Sequence, residues 1–238
     1  MINTLSIIIP VYNEENTVRK LLERIKELKL IHNIEKEVIV INDCSNDLSK
    51  EKIQLFIKKN KDLNISLLNH KTNMGKGSAV STGIKKASGE YSIIQDADLE
   101  LNPQDINKLI DAVLQKKANI IYGSRFLNNK KHKKEMMINR IANIILTKIS
   151  NITLNMQLTD MQTCYKLIPT DVFKSISLNE KGFAFDPEIT AKLKKYSNLT
   201  FAEVPISYEP RTEDEGKKIK WTHGFRQIFS IFKYSIFK

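Results

Sequence analysis

Five short apolar runs, alternating with stretches of helical periodicity, constrain this chain more than any other feature. Residues 5–10, 37–41, 64–68, 91–95 and 119–123 are rich in Ile, Val and Leu. Between them lie helical patterns at 15–30, 48–60, 77–87 and 103–116. In the first pattern Val18, Leu21, Leu22, Ile25 and Leu28 recur at the spacing that places them on one helix face. Pro103 suits a first helical turn, where its missing N–H leaves no bond unmade. Apolar runs joined by helices make a mostly parallel sheet with helices on both faces. The expected fold class is therefore α/β, and 238 residues suit one large domain, alone or with an appendage.

Composition narrows the rest. The hydrophobic share of 41% suffices for a core. No window reaches the ~18 uninterrupted apolar residues of a membrane span. The start, Met1-Ile2-Asn3-Thr4, has no basic leader, so the first run reads as a strand rather than a signal peptide. Cys44 and Cys164 lack metal-ligand spacing and read as reduced buried thiols of a cytosolic protein. The four histidines form no zinc pattern. A net charge of +11 favours anionic partners: nucleotide diphosphates, acidic lipid or nucleic acid. Nucleic acid is disfavoured, because no basic platform interleaved with aromatics and no helix-turn-helix or RNA-recognition signature is present.

After Arg125 the pattern changes. A basic loop covers 128–134, and an apolar-rich helix is expected over 136–152. Strands follow at 163–168 and 201–208, with a loop or helix around 183–195 between them. The tail, 221–238, spaces Phe225, Ile228, Phe229, Phe232 and Ile236 at near-helical intervals among Arg226, Lys233 and Lys238. An aromatic, basic helix of this kind suits a bilayer interface; packing on the sheet is the other reading.

Asp96-Ala97-Asp98 is the stretch that points most to chemistry, although such a pair taken alone more often marks solvated loop carboxylates. It follows the fourth apolar run, where a buried strand leaves the sheet. Carboxylates are hard oxygen ligands that suit Mg²⁺ or Mn²⁺ held against a diphosphate. Alternate strand residues point the same way about 6–7 Å apart, and a turn brings them closer. Glu100 offers a third oxygen ligand. Two other phosphate-binding patterns fail. The first strand–helix turn, Pro10-Val11-Tyr12-Asn13-Glu14, has none of the glycines of a dinucleotide-binding turn. Asn73-Met74-Gly75-Lys76-Gly77-Ser78 looks P-loop-like, but His70 stands five before Gly75 and Gly77 follows the lysine.

The motifs together resemble the family 2 glycosyltransferases of the GT-A fold. Within that family they look most like the dolichyl- and polyprenyl-phosphate mannosyl- and glucosyltransferases. The pieces are Ile9-Pro10-Val11-Tyr12-Asn13-Glu14, Val40-Ile41-Asn42-Asp43-Cys44-Ser45, Asn73 to Ala79, and Gln95-Asp96-Ala97-Asp98-Leu99-Glu100. Gly123-Ser124-Arg125, Asp160 to Lys166, and Arg211 with Glu215-Gly216-Lys217-Lys218 complete the set, in family order. Two departures stand out. Glu100 occupies a position that is often Gln in the mannosyl branch, and the membrane-spanning helices that follow the catalytic domain in some relatives are not expected here.

The resemblance implies a GT-A catalytic domain over residues 1–215: a Rossmann-like nucleotide-diphospho-sugar transferase sheet. A C-terminal amphipathic segment over 216–238 follows. It implies an inverting, Mg²⁺- or Mn²⁺-dependent transfer of a hexose from a GDP-mannose or UDP-glucose type donor to a polyprenyl or dolichyl phosphate. The metal ligands would be Asp98 first, with Asp96 and Glu100. Pro10, Tyr12, Glu14, Asp43, Lys76, Asp96 and Arg125 would contact the nucleotide sugar, although Asp43 and Glu14 also suit helix caps and Tyr12 suits the core. Arg125 would clamp phosphate by its planar fork. Arg140, Arg211 and Lys217 are further phosphate candidates. Asp160 either orients the acceptor or acts as general base. The implied location is the cytoplasmic membrane face, peripherally attached, with a membrane-protein partner or a second copy as further partners. A saccharide acceptor and a catalytically silent partner subunit are the competing readings.

Overall fold

The structure, a computed structural model, describes residues 2–127, 137–182, 184–211 and 223–236. A seven-stranded sheet runs in the order β3-β2-β1-β4-β6-β5-β7. Its strands are β1 (Thr4–Val11), β2 (Glu35–Asn42), β3 (Ile65–Asn69), β4 (Tyr91–Ile94), β5 (Ile120–Ser124), β6 (Lys166–Pro169) and β7 (Phe201–Pro205). The helices are α1 (Val18–Glu27), α2 (Ser49–Lys59), α3 (Lys76–Lys86), α4 (Ile106–Leu114), α5 (Met137–Leu154), α6 (Thr170–Ser175), α7 (Phe185–Lys194) and α8 (His223–Ile236).

β1 pairs in parallel with both β2 and β4, and β2 with β3. Its Leu5, Ile7, Ile8 and Ile9 are wholly buried, as expected of a strand covered on both faces. α1 buries Val18, Leu21, Leu22 and Ile25. It is shorter than its periodicity suggested. Leu28 turns extended, and the Lys36 ammonium donates to the carbonyls of Ile25, Lys26 and Leu28 at 2.6–3.0 Å. A cation there satisfies last-turn carbonyls and suits the negative helix end.

The second half departs from simple alternation. β6 enters antiparallel between β4 and β5, while β7 pairs with β5 in parallel. The strand expected from residue 163 begins only at Lys166, because the Thr163 hydroxyl accepts the Tyr165 N–H and curls the approach. The strand expected to reach 208 ends at Pro205. Beyond it the chain crosses to the acidic loop, where Tyr208 bridges Leu101 and the Glu209 N–H donates to the Glu100 carbonyl at 2.8 Å.

α8 packs on α5 and α7, burying Ile231 and Tyr234. Ile141, Ile145 and Ile152 on α5, and Phe229 and Phe232 on α8, stay exposed. No helix among the described residues is long and apolar enough to cross a membrane. The basic loop at 128–134, Glu215 to Lys218 with Lys217, Phe183, Trp221 and Lys238 lie outside the described residues. So do the side chains of Phe225 and Ile236.

Candidate active site

The ends of β1, β2, β4 and β5, with the start of the antiparallel β6, meet at one sheet edge. Ligands of open α/β sheets bind at this edge. Nearly every candidate read from the sequence falls here.

The acidic loop leaves β4 through Gln95, a wholly buried side chain whose carbonyl accepts the Tyr165 hydroxyl at 2.5 Å. Leu99 takes a positive φ of 66°, and Asp98 Oδ1 accepts the Glu100 N–H at 3.0 Å, so the loop turns tightly. Asp96 is held by the Lys76 ammonium at 2.7 Å. Arg211 arrives on the crossing segment. Its backbone N–H donates to Glu100 Oε1 at 2.9 Å, and its guanidinium spans the Glu14 carboxylate at 3.1 and 3.3 Å. The same guanidinium lies 3.6 Å from Asp98, and its buried Nε has no hydrogen-bond partner among the described residues.

Among the described residues, four carboxylates, Glu14, Asp96, Asp98 and Glu100, thus face the cations of Lys76 and Arg211. The excess falls on Asp98. Burial first, then the charges of Asp96 and Glu100, push its carboxyl up to about 7, against the opposing pull of Arg211. Burial acts the same way on Asp96, but Lys76 outweighs it and holds that carboxyl below its usual range. Among the described residues, no three His, Cys, Asp or Glu side chains converge into a ready metal site. The donor set nevertheless fits a divalent ion. It consists of oxygen ligands carrying surplus negative charge, and its weakest-held carboxylate is the one for which a cation brings most relief.

Asp43 sits immediately after β2, 2% exposed, with its oxygens engaged inside the protein. Oδ1 accepts from the His70 ring at 2.6 Å and from the Met74 N–H at 2.9 Å, and Oδ2 accepts the Gly75 N–H at 2.7 Å. The other His70 nitrogen meets the Thr82 hydroxyl at 2.9 Å. Asp43 therefore anchors the glycine turn ahead of α3. Gly75 adopts φ 89°, open to glycine at little cost, and a Cβ at Gly77 would stand 2.0 Å from the Glu180 carbonyl oxygen. His70 escaped the sequence reading because one histidine beyond a strand end carries no pattern of its own.

At the end of β5, Arg125 makes a bidentate pair with the wholly buried Asp160, Nε to Oδ2 at 2.7 Å and Nη2 to Oδ1 at 2.8 Å. Glu203 of β7, another residue without a sequence signal, accepts the Thr159 and Asp160 N–H groups at 2.7 and 3.0 Å. Asp160 as placed orients Arg125. The Arg125 guanidinium also covers the Tyr208 ring at 5.1 Å, and Arg125 and Arg140 both approach Phe126, at 5.5 and 5.3 Å. Pro10 pairs with Ile41 across β1 and β2, and Tyr12 is half-buried just beyond.

Comparison with known proteins accords with this architecture. Glycosyl transferase family 2 matches residues 6–177, and the chain belongs to that family: it is a glycosyltransferase with the GT-A fold. It is 30% identical to a dolichyl-phosphate β-glucosyltransferase of Trichomonas vaginalis, over 98% of this chain and 73% of that protein. It is 31% identical to a dolichol-phosphate mannosyltransferase of Pyrococcus furiosus, over 96% of this chain and 64% of that protein. In structure it resembles glucosyl-3-phosphoglycerate synthase of Mycobacterium tuberculosis in complex with Mn²⁺, UDP and phosphoglyceric acid. The TM-score is 0.72 at 13% identity, covering 99% of this chain and 80% of the other. The same enzyme with Mg²⁺ and UDP aligns at a TM-score of 0.69 and 15% identity, over 98% of this chain and 79% of that one.

Proposed function

We propose that this glycosyltransferase moves a hexose, with inversion, from a nucleoside diphosphate sugar to a polyprenyl phosphate at the cytoplasmic face of a membrane. One observation carries the acceptor reading. Helix α5 presents Arg140, a phosphate candidate, and directly after it an exposed apolar stripe of Ile141, Ile145 and Ile152. A lipid phosphate has those two parts, an anionic head and a hydrocarbon chain. The names of the curated relatives, which act on dolichyl phosphate, support the same reading.

In the reaction a phosphate oxygen of the acceptor attacks the anomeric carbon, and the bond from that carbon to the donor diphosphate breaks. The nucleoside diphosphate leaves with the electron pair. Arg211 and Lys76 lie where they can take up that developing charge, once phosphate oxygens displace Glu14 and Asp96 from them. A divalent ion held by Asp98, Asp96 and Glu100 would supply further charge neutralisation at the leaving diphosphate. Arg125 and Arg140 would bind the acceptor phosphate, with Asp160 fixing the fork of Arg125. A phosphate acceptor arrives already ionised, so no general base is required. Asp43 would act on the donor through the glycine turn.

The test supplies UDP-glucose or GDP-mannose with Mn²⁺ to protein mixed with polyprenyl phosphate in phosphatidylglycerol vesicles. Formation of a solvent-extractable hexosyl phosphoryl lipid with one donor is the expected result. Transfer to added saccharide but never to lipid would overturn the acceptor assignment.

A further inference from the structure

The backbone at 179–182 lies between two helices and the glycine turn. On one side the Glu180 carboxylate, only 18% exposed, accepts from the Tyr234 hydroxyl at 3.0 Å and pairs with Lys233 at 3.1 Å, both on α8. Behind it, the Asn179 and Glu180 N–H groups donate to Glu188 of α7 at 2.8 Å each, and Lys192 neutralises Glu188 at 2.6 Å. On the other side the Lys181 carbonyl accepts the Gly77 N–H at 2.7 Å. The fit is backbone on backbone. A Cβ at Gly75 would stand 2.4 Å from the Lys181 oxygen, and one at Gly77 closer still to that of Glu180. A second tether joins the same parts: Ser230 of α8 donates to the Ala184 carbonyl at 3.0 Å, and the adjacent Phe185 ring faces the Lys76 ammonium at 5.6 Å.

With no side chain between them to absorb a shift, displacement of the 180–182 backbone passes directly to the turn that carries Lys76. We propose that Glu180 is a positioning residue of the donor site: it locks α8 to this backbone, and the backbone in turn sets the Gly75–Gly77 turn and the reach of Lys76 to a donor diphosphate. The inference rests on the donor-site reading above. It adds that the C-terminal helix, which bears the exposed Phe229 and Phe232, is wired to nucleotide affinity.

The experiment measures the dissociation constant of UDP and GDP with Mn²⁺, and the steady-state rates, for wild type, Glu180→Ala, Glu180→Gln, Tyr234→Phe and the Glu180→Ala/Tyr234→Phe double variant. Glu180→Ala should weaken the nucleotide that binds wild type about tenfold, equivalent to ~1.4 kcal/mol. It should raise the donor KM more than it lowers kcat. Glu180→Gln, which keeps an acceptor for Tyr234, should stay within about twofold. Tyr234→Phe should cause a smaller loss that vanishes in the Glu180→Ala background, as expected of two groups in one contact. Folded Glu180→Ala and Tyr234→Phe proteins with wild-type affinity would overturn the proposal alone, and Tyr234→Phe decides if Glu180→Ala fails to fold. Absence of nucleotide binding by wild type would overturn the donor-site reading and this inference together.

Discussion

Asp160 and its neighbours show how much of the edge is self-supporting. Both Asp160 oxygens are taken by Arg125, and Glu203 holds the Asp160 backbone. Asp160→Asn leaves the buried guanidinium short of its partner, which should cost about 3 kcal/mol in urea unfolding along with activity. Full stability with lost transfer would instead make Asp160 a general base. Glu203 is a titration probe of the same support. Burial, opposed by the N–H groups of Thr159 and Asp160, raises its carboxyl above the usual 4.5. The folded protein therefore holds this proton at pH values where the unfolded chain has released it. The stability this group contributes is present at low pH and declines as pH rises from about 4.5 through its folded value. Glu203→Gln should flatten that decline, read as unfolding free energy at a series of pH values. An unchanged slope would show that Glu203 does not titrate in this range.

At the scale of elements, the apolar runs carried most of the fold because buried parallel strands need uninterrupted Ile, Val and Leu. The five runs of the first half became β1 to β5 within one to two residues at either end. Strand direction was not legible: nothing in Lys166–Pro169 distinguishes an antiparallel insertion from another parallel strand. Nor was the crossing of 206–211, since its apolar Ile206 and Tyr208 look like more strand. That crossing delivers Arg211 to Glu14, a pairing 197 residues apart that no local pattern encodes. The acidic loop, by contrast, stood out because its carboxylates follow directly on a buried apolar run, and the structure brings Asp96 and Asp98 to the sheet edge beside Lys76 and Arg211. The glycine turn failed the test for a phosphate loop in the sequence, and its need for glycine lies in the packed 180–182 backbone. Gly77→Ala forces that contact apart and should destabilise the protein by about 2 kcal/mol, with weakened nucleotide binding. A variant as stable as wild type would show that the two backbones separate freely.

The molecule as a whole combines a charge of +11 with exposed apolar side chains on both α5 and α8. Both features suit an anionic bilayer. Phe229→Ser with Phe232→Ser should lower co-flotation with phosphatidylglycerol vesicles about tenfold or more while leaving the melting temperature near wild type. Undiminished flotation would place membrane contact elsewhere. The central claim is that the carboxylate edge binds a nucleoside diphosphate through a divalent ion. Its most direct measurement is thermal unfolding with GDP, UDP, dTDP and CDP, each with and without Mn²⁺, for wild type and Asp98→Asn. At about 100 times its dissociation constant, one nucleotide should stabilise wild type by roughly 2.7 kcal/mol. That gain should require Mn²⁺ and be absent from the variant. No gain with any nucleotide in folded protein, or an equal gain in Asp98→Asn, would contradict it.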